Sequence, residues 1–194
     1  MLNIEYPAQR LEDGWSLPRT PFIAVVHHFL SGVECADLVQ RIEAIGPGAA
    51  PITLAGGRQL NIPDFRNNDR VMFEDASLAR SLFERLRPAL PTREDTAVGI
   101  NERFRGYRYT AGQRFRPHYD GTYVRNEHER SEITVLLYLS DGFVGGDTFF
   151  HDLDLRVVPK TGMALLFEHR ILHEGCAVLA GTKYVLRSDV MYRS

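Results

Sequence analysis

The segment Arg108-Tyr-Thr-Ala-Gly-Gln-Arg-Phe-Arg-Pro-His118-Tyr-Asp120-Gly121 carries an imidazole and a carboxylate two residues apart. In an extended chain residues i and i+2 point to one face, so His118 and Asp120 can converge on a single point. His173, in the short apolar segment Ile171-Leu-His-Glu-Gly175, is the candidate second imidazole. Two histidines and one carboxylate with the remaining positions open are the ligand set of non-haem Fe(II) oxygenases, where oxygen and a co-substrate take the vacant sites. An H-x-D triplet alone is weak, since a strand histidine is more often a hydrogen-bonded structural residue. Lys183 adds weight. Only Lys160 and Lys183 are lysines, and Lys183 opens the apolar run Lys-Tyr-Val-Leu-Arg187 ten residues after His173. A lysine pointing into a barrel loses its hydration unless an anion meets it, and the far carboxylate of an acidic co-substrate would be that anion. The alternative is a lysine at a strand end, snorkelling to water.

These residues need strands to hold them, and the second half of the chain reads as strands. Segments near 103–110, 132–140, 148–150, 153–158, 163–167, 171–176 and 183–192 are short and apolar or alternating, separated by Gly, Pro or Asp turns. Before them, Ser31 and Glu34 fit a capping box, and Val33, Leu38, Val39, Ile42 and Ile45 keep helical spacing until Gly46-Pro47-Gly48. A second helix is predicted over Asp75 to Leu86, ending before Pro88. Pro21 to Val26 reads as a strand able to cap a sheet edge. Residues 46–66, rich in Gly and Pro and without periodicity, read as a long loop of the functional or mobile kind. The expected fold is mainly β with flanking helices, α+β overall: a double-stranded β-helix, or jelly roll, supported by N-terminal helices. It is expected to be a single domain over 1–194, with 1–95 as helical support and lid region and 96–194 as the β-helix core.

Composition narrows the function classes. Twenty-three Lys and Arg against 25 Asp and Glu leave a net charge of -2, so no overall basic field recruits nucleic acid or an anionic membrane. No apolar run approaches the roughly 20 residues of a membrane span. The start, MLNIEYPAQRLEDGW, shows no signal peptide, and the expected location is cytoplasmic. Cys35 and Cys176, far apart, exclude a disulfide scaffold and a CxxC zinc site.

Several motifs then match together. Tyr109-x-x-Gly112-x-x-Phe115-x-x-His118-x-Asp120 is followed by Thr134-Val-Leu-Leu-Tyr138-Leu and Gly145-Gly-Asp-Thr148-x-Phe150. After these come Pro159-x-x-Gly162-x-Ala164-Leu-Leu-Phe167, His173-Glu-Gly175 and Gly181-x-Lys183-Tyr. In order and spacing this resembles the prolyl 4-hydroxylase-like branch of the Fe(II)/2-oxoglutarate dioxygenases, over about residues 100 to 192. The resemblance implies that His118, Asp120 and His173 are both the metal ligands and the catalytic centre, and that Lys183 meets the distal carboxylate of 2-oxoglutarate. It puts Tyr138 and Tyr109 beside that co-substrate and Thr148 on the wall nearby, ordinary core packing being the alternative for each tyrosine. It implies Fe(II), 2-oxoglutarate and O2, with ascorbate as reductant, and hydroxylation of an unactivated C–H bond with release of succinate and CO2.

For the substrate, Val185 and Arg187 share the inward face of Lys183, so Arg187 lies deeper, near the metal. A buried guanidinium there wants a carboxylate, from Asp189 or from the substrate. The polar run Arg66-Asn67-Asn68-Asp69-Arg70 makes Arg66, Asn68 and Arg70 further substrate-contact candidates, against a solvated turn. The segment Tyr123 to Glu132 reads as a loop able to cover the mouth, and His27, His28, His128, His151 and His169 as structural or solvent-facing. The expected partner is a prolyl, peptidyl or small-molecule substrate. The competing reading is a cupin-like metal-binding β-barrel, either a non-redox metalloenzyme or an inactive ligand-binding module, which would have no need of Lys183 and Tyr138.

Overall fold

Alternation along the strand Lys183–Arg193 sorts its side chains between two cores. Val185 packs with Tyr107, Tyr109, Tyr138, Phe150 and Phe167, while Leu186 and Val190 pack with Leu38, Ile42, Leu82 and Phe104. In the computed structural model, which describes residues 2–7, 20–53 and 58–193, this strand is central to a large antiparallel sheet. The sheet runs in the order Asn3–Glu5, Ile23–His27, Ala164–Glu168, Glu129–Tyr138, Lys183–Arg193, Arg103–Tyr109, Asp69–Glu74, Gly48–Ala49. A smaller antiparallel sheet, Leu155–Val157, Thr148–Phe150, His173–Gly175 and Phe115–His118, packs against its inner face. The two sheets form the jelly roll, and the apolar space between them holds one core.

The second core lies on the outer face of the large sheet, under two helices. The helix α1, Gly32–Ile45, starts at the Ser31–Glu34 capping box and stops where Gly46 turns left-handed at φ 85°. The helix α2, Ala76–Leu86, starts at Asp75, whose side chain accepts from the Leu78 amide. Gly106 explains how closely α1 sits: a Cβ there would lie 2.6 Å from Ile42 Cγ1 and 2.9 Å from Val71. Both helices match the expected spans.

Three expectations change. The Pro21 to Val26 segment does not cap an edge, because Ile23–His27 lies between Ala164–Glu168 and Asn3–Glu5. Its Ile-Ala-Val-Val run is buried on both faces, as an inner strand requires. The segment Tyr123 to Glu132 is largely a hairpin: Val124–Asn126 pairs with Glu129–Tyr138, and Arg125 bridges Glu129 and Glu102. Finally, the 46–66 stretch contains three two-residue strands, Gly48–Ala49, Ile52–Thr53 and Gln59–Leu60, and residues 54–57 of that predicted loop lie outside the described residues. Part of the N-terminal start, residues 8–19, lies outside them as well.

Candidate active site

The smaller sheet brings the two imidazoles together by register. His173 is the direct pairing partner of His118, so two residues distant in sequence face each other across one ladder step. Asp120 follows just after the strand, its amide donating to the His169 carbonyl. His118 Nε2 lies 3.8 Å from Asp120 Oδ1 and His173 Nε2 3.7 Å from Asp120 Oδ2, and one ligand atom from each of the three falls within 4.8 Å of the others. His118 Nδ1 donates to the Arg116 carbonyl at 2.7 Å and His173 Nδ1 to the Ile171 carbonyl at 2.9 Å. Each bond fixes the tautomer that leaves Nε2 with a free lone pair.

Electrostatics keep all three in the ligating state. Burial, with His173 beside it, pushes His118 down to about 3, and burial lowers His173 too. Burial pushes the Asp120 carboxyl up, but Arg187 above all, then the two imidazoles and Thr134, hold it well below the usual carboxylate range. Two neutral imidazoles and one carboxylate, oriented by neighbouring backbone, are a donor set that fits Fe(II).

A chain of hydrogen bonds supports the carboxylate. The Tyr123 amide donates to Ser131 Oγ, which sits 2.9 Å from His169 Nε2, while His169 Nδ1 sits 2.9 Å from Thr134 Oγ1. Thr134 in turn donates to Asp120 Oδ2 at 2.5 Å. Since the threonine proton goes to Asp120, His169 must donate from Nδ1 and accept at Nε2, so every bond points toward the carboxylate. Burial lowers the His169 pKa, in keeping with that neutral form. His169 was expected to be structural or solvent-facing; it is 3% exposed and two bonds from the candidate ligand.

Lys183 occupies the same cavity and does not snorkel. It is 3% exposed, its Nζ donates to the Gly146 carbonyl at 2.5 Å, and it forms no ion pair among the described residues. Gly145 and Gly146 both take positive φ, 74° and 69°, which aims that carbonyl inward. Burial pushes the lysine down to about 8. The rings of Tyr109 and Tyr138 flank it at 5.3 and 5.5 Å, and Tyr138 OH is 2.7 Å from Thr148 Oγ1. All four residues line the cavity with the His118, Asp120 and His173 set.

Arg187 also lines it, with a partner the sequence did not suggest: Nη1 is 2.7 Å from Asp120 Oδ1, while Asp189 Oδ1 is 3.4 Å from Nη2. Arg66 is buried, its Nε donating to Asn68 Oδ1 at 2.8 Å and its guanidinium lying 4.3 Å from the Phe115 ring centre. Phe115 stacks on His118 at 3.5 Å. So Arg66 and Asn68 are buried behind Phe115 and not in a solvated turn, but like Arg70 they do not line the cavity. Arg70, half-buried on Asp69–Glu74, pairs with Tyr107 and does not line the cavity. Tyr107 was missed, although the i, i+2 rule places it on the inward face of Tyr109, where it lines the cavity.

The profile of the 2OG-Fe(II) oxygenase superfamily matches residues 104–188, the stretch that holds every residue of the triad and Lys183. The probable prolyl 4-hydroxylase 10 of Arabidopsis thaliana is 30% identical over 200 residues, covering 84% of this chain and 66% of its own length. The chain thus spans about two thirds of that relative. Among solved structures, a Trichoplax adhaerens prolyl hydroxylase in complex with a hypoxia inducible factor peptide fragment superposes with TM-score 0.65 at 18% identity, over 87% of this chain and 82% of that one. A Pseudomonas putida prolyl-4-hydroxylase gives TM-score 0.60 at 18% identity, over 90% and 95%. With the motif order, the jelly roll and the converging His118, Asp120 and His173 all in agreement, this chain belongs to the 2OG-Fe(II) oxygenase superfamily and is prolyl 4-hydroxylase-like.

Proposed function

We propose that the protein is an Fe(II)- and 2-oxoglutarate-dependent hydroxylase acting on a C–H bond of a prolyl, peptidyl or small-molecule substrate. The observation that carries this reading is Lys183, a buried cation that makes no ion pair among the described residues, in the cavity that also holds the triad. A plain metal-binding barrel has no use for such a group, whereas a dicarboxylate co-substrate supplies the missing anion. His118, Asp120 and His173 would hold Fe(II), and Lys183, Tyr138, Tyr109 and Thr148 would receive the distal carboxylate of 2-oxoglutarate.

When bound, Fe(II) with 2-oxoglutarate and O2 supplies oxidative decarboxylation to succinate and CO2 coupled to hydroxylation of the substrate. The chain's own residues bind, orient and exclude water. Lys183 and the Tyr138–Thr148 hydroxyl pair fix the co-substrate's far end, and the Thr134–His169–Ser131 chain holds Asp120 in one rotamer. Phe115 against His118 and Phe167 against His173, with ring centres 3.5 and 4.5 Å apart, close the apolar sides of the centre. Arg187, which lines the cavity, would meet the substrate, and Arg66, Asn68 and Arg70 would act from behind the wall. Ascorbate as reductant follows from the prolyl hydroxylase likeness. A cytoplasmic location fits the two free cysteines. The whole chain is read as one domain, its first half lending helices and strands to the barrel that carries the site.

The test is anaerobic mixing of the purified protein with Fe(II) and 2-oxoglutarate. The expected result is the weak visible charge-transfer band of the chelate, lost in His173→Ala. Metal binding without a band would move the protein to the non-redox barrel reading, and no metal binding would end the enzyme reading.

A further inference from the structure

Tyr107 stands at the centre of an unbalanced cluster. It is 4% exposed, and its hydroxyl makes no hydrogen bond of normal geometry. Arg66 lies 4.7 Å over its ring with Nη2 unpartnered, and Nε of the buried Arg187 is unpartnered too. A hydroxyl and two guanidinium nitrogens on adjoining buried residues thus lack a hydrogen bond of normal geometry, with only loose contacts among themselves, which is unusual in a folded interior. Burial pushes the Tyr107 phenol up, yet Arg66, Arg187 and Arg105 more than offset it and leave it below its ordinary value, which marks the surroundings as cationic.

The charges do not balance once the centre is loaded. Asp120 is the nearest partner of Arg187, but as a metal ligand it would share its single charge with a dication. Arg187 is then left with Asp189, which already pairs with Arg105 at 2.9 Å. Arg66 has no carboxylate among the described residues, only Asn68. Lys183 serves the opposite end of the cavity, four residues back along the strand, on the order of 13 Å away at about 3.3 Å per residue. The cluster instead flanks Phe115 and His118, beside the bridge between Arg66 and Phe115.

Resting on the 2-oxoglutarate reading above, we infer that Tyr107 and Arg187, backed by Arg66, anchor a carboxylate carried by the substrate itself. The substrate is then a small molecule with a free carboxylate near the reacting carbon, the class that includes amino and imino acids, not a residue inside a polypeptide. Arg187 offers its unpartnered Nε, with Nη2 held only at 3.4 Å by Asp189, and the Tyr107 hydroxyl offers a further donor.

The experiment uses the full chain loaded with Mn(II) and 2-oxoglutarate, after confirming that 2-oxoglutarate binds. The free amino acids, L-proline included, are titrated beside their primary amides and a prolyl peptide blocked at both ends, by saturation-transfer NMR. Succinate release is then followed with Fe(II). At least one free acid is expected to bind and raise succinate release, with its amide about ten-fold weaker or more, the range for losing hydrogen bonds to a charge. Tyr107→Phe, which removes a hydroxyl that makes no hydrogen bond of normal geometry and should fold normally, is expected to weaken the acid several-fold while sparing 2-oxoglutarate and the amide. Arg66→Met should do the same. Amides equal to acids, binding of the blocked peptide alone, or no acid binding would overturn the inference while leaving the 2-oxoglutarate reading intact. A parallel loss of 2-oxoglutarate affinity in Tyr107→Phe would assign the cluster to the co-substrate and overturn it also. Failure of 2-oxoglutarate to bind the wild-type protein is the separate result that removes the parent reading and this inference with it.

Discussion

Two cations on one strand, Lys183 and Arg187, face the same cavity in opposite electrostatic states. Lys183 is buried against a carbonyl and two aromatic rings, and its charge is held at a cost. Arg187 is buried too, yet Asp120 and Asp189 raise its pKa despite the burial. A lysine can be held poorly solvated because it waits for a ligand, whereas an arginine tied to the carboxylate of the centre is part of the scaffold before any ligand arrives. The same strand therefore carries one cation with no ion pair among the described residues and one that Asp120 and Asp189 partner before any metal or ligand is bound, separated by Val185.

Asp120 is both the nearest partner of Arg187 and one of the three converging donors, so its removal gives the largest effect. Asp120→Ala is expected to abolish Mn(II) and Fe(II) binding by calorimetry. It should also destabilise the fold by about 3 kcal/mol or more, the usual result of stranding a buried cation. Retained metal with full succinate production would break the assignment of the centre.

Next in size is the contrast between the two cations themselves. Lys183→Met is expected to weaken 2-oxoglutarate on the order of 100-fold, the scale of truncating a buried charge partner, while metal binding persists. It should also raise the stability of the ligand-free protein. With the lysine at about 8 against the ordinary 10.5, the charged form carries a penalty of roughly 3 kcal/mol, which methionine does not. Arg187→Met should move stability the other way, because Asp189 and Asp120 lose their partner. Equal losses of stability in both variants, measured by urea titration, would erase the distinction.

The pH dependence sharpens the Lys183 end further. Because its folded pKa is depressed, the unfolded chain holds a proton that the folded chain has released between about pH 8 and 10.5. The penalty is complete below about pH 8 and is relieved as pH rises through that window, so the ligand-free protein gains stability there. Binding of 2-oxoglutarate needs the charged lysine, so its affinity should be flat below about pH 8 and fall about ten-fold per unit above it, with proton uptake. Calorimetry in buffers of different ionisation enthalpy reads both. A flat affinity to pH 9.5 would mean that Lys183 is not the partner.

How much of this was legible depends on the range of the contacts. Helices α1 and α2 were legible because their caps and apolar spacing are local. His118 with Asp120 followed from a two-residue period, and Lys183 stood out by its rarity in an apolar run. The strands Asp69–Glu74 and Thr96–Ile100 were not seen, because Asp-Arg-Val-Met-Phe-Glu and Thr-Ala-Val-Gly-Ile show no clean alternation and are set by their pairing partners. The Arg187–Asp120 pair and the Ser131–His169–Thr134 chain join strands and turns far apart in sequence, where local spacing carries no information.

That hydrogen-bond chain yields the smallest effect and the finest test of the centre's two sides. Asp120 is gripped at Oδ1 by Arg187 and at Oδ2 by Thr134, so removing the threonine hydroxyl leaves the carboxylate charged and bonded on one side only. Thr134→Val, close in shape, is expected to weaken metal about ten-fold, the lower end for losing an outer partner of a metal ligand, with 2-oxoglutarate affinity at saturating metal unchanged. Ser131→Ala, two bonds further out, should fall below that, and Thr134→Ser, which keeps the hydroxyl, should restore most of the loss. If Thr134→Val matched wild type in metal affinity, Arg187 alone would suffice to orient Asp120, and the chain back to Tyr123 would only pack the hairpin against the barrel.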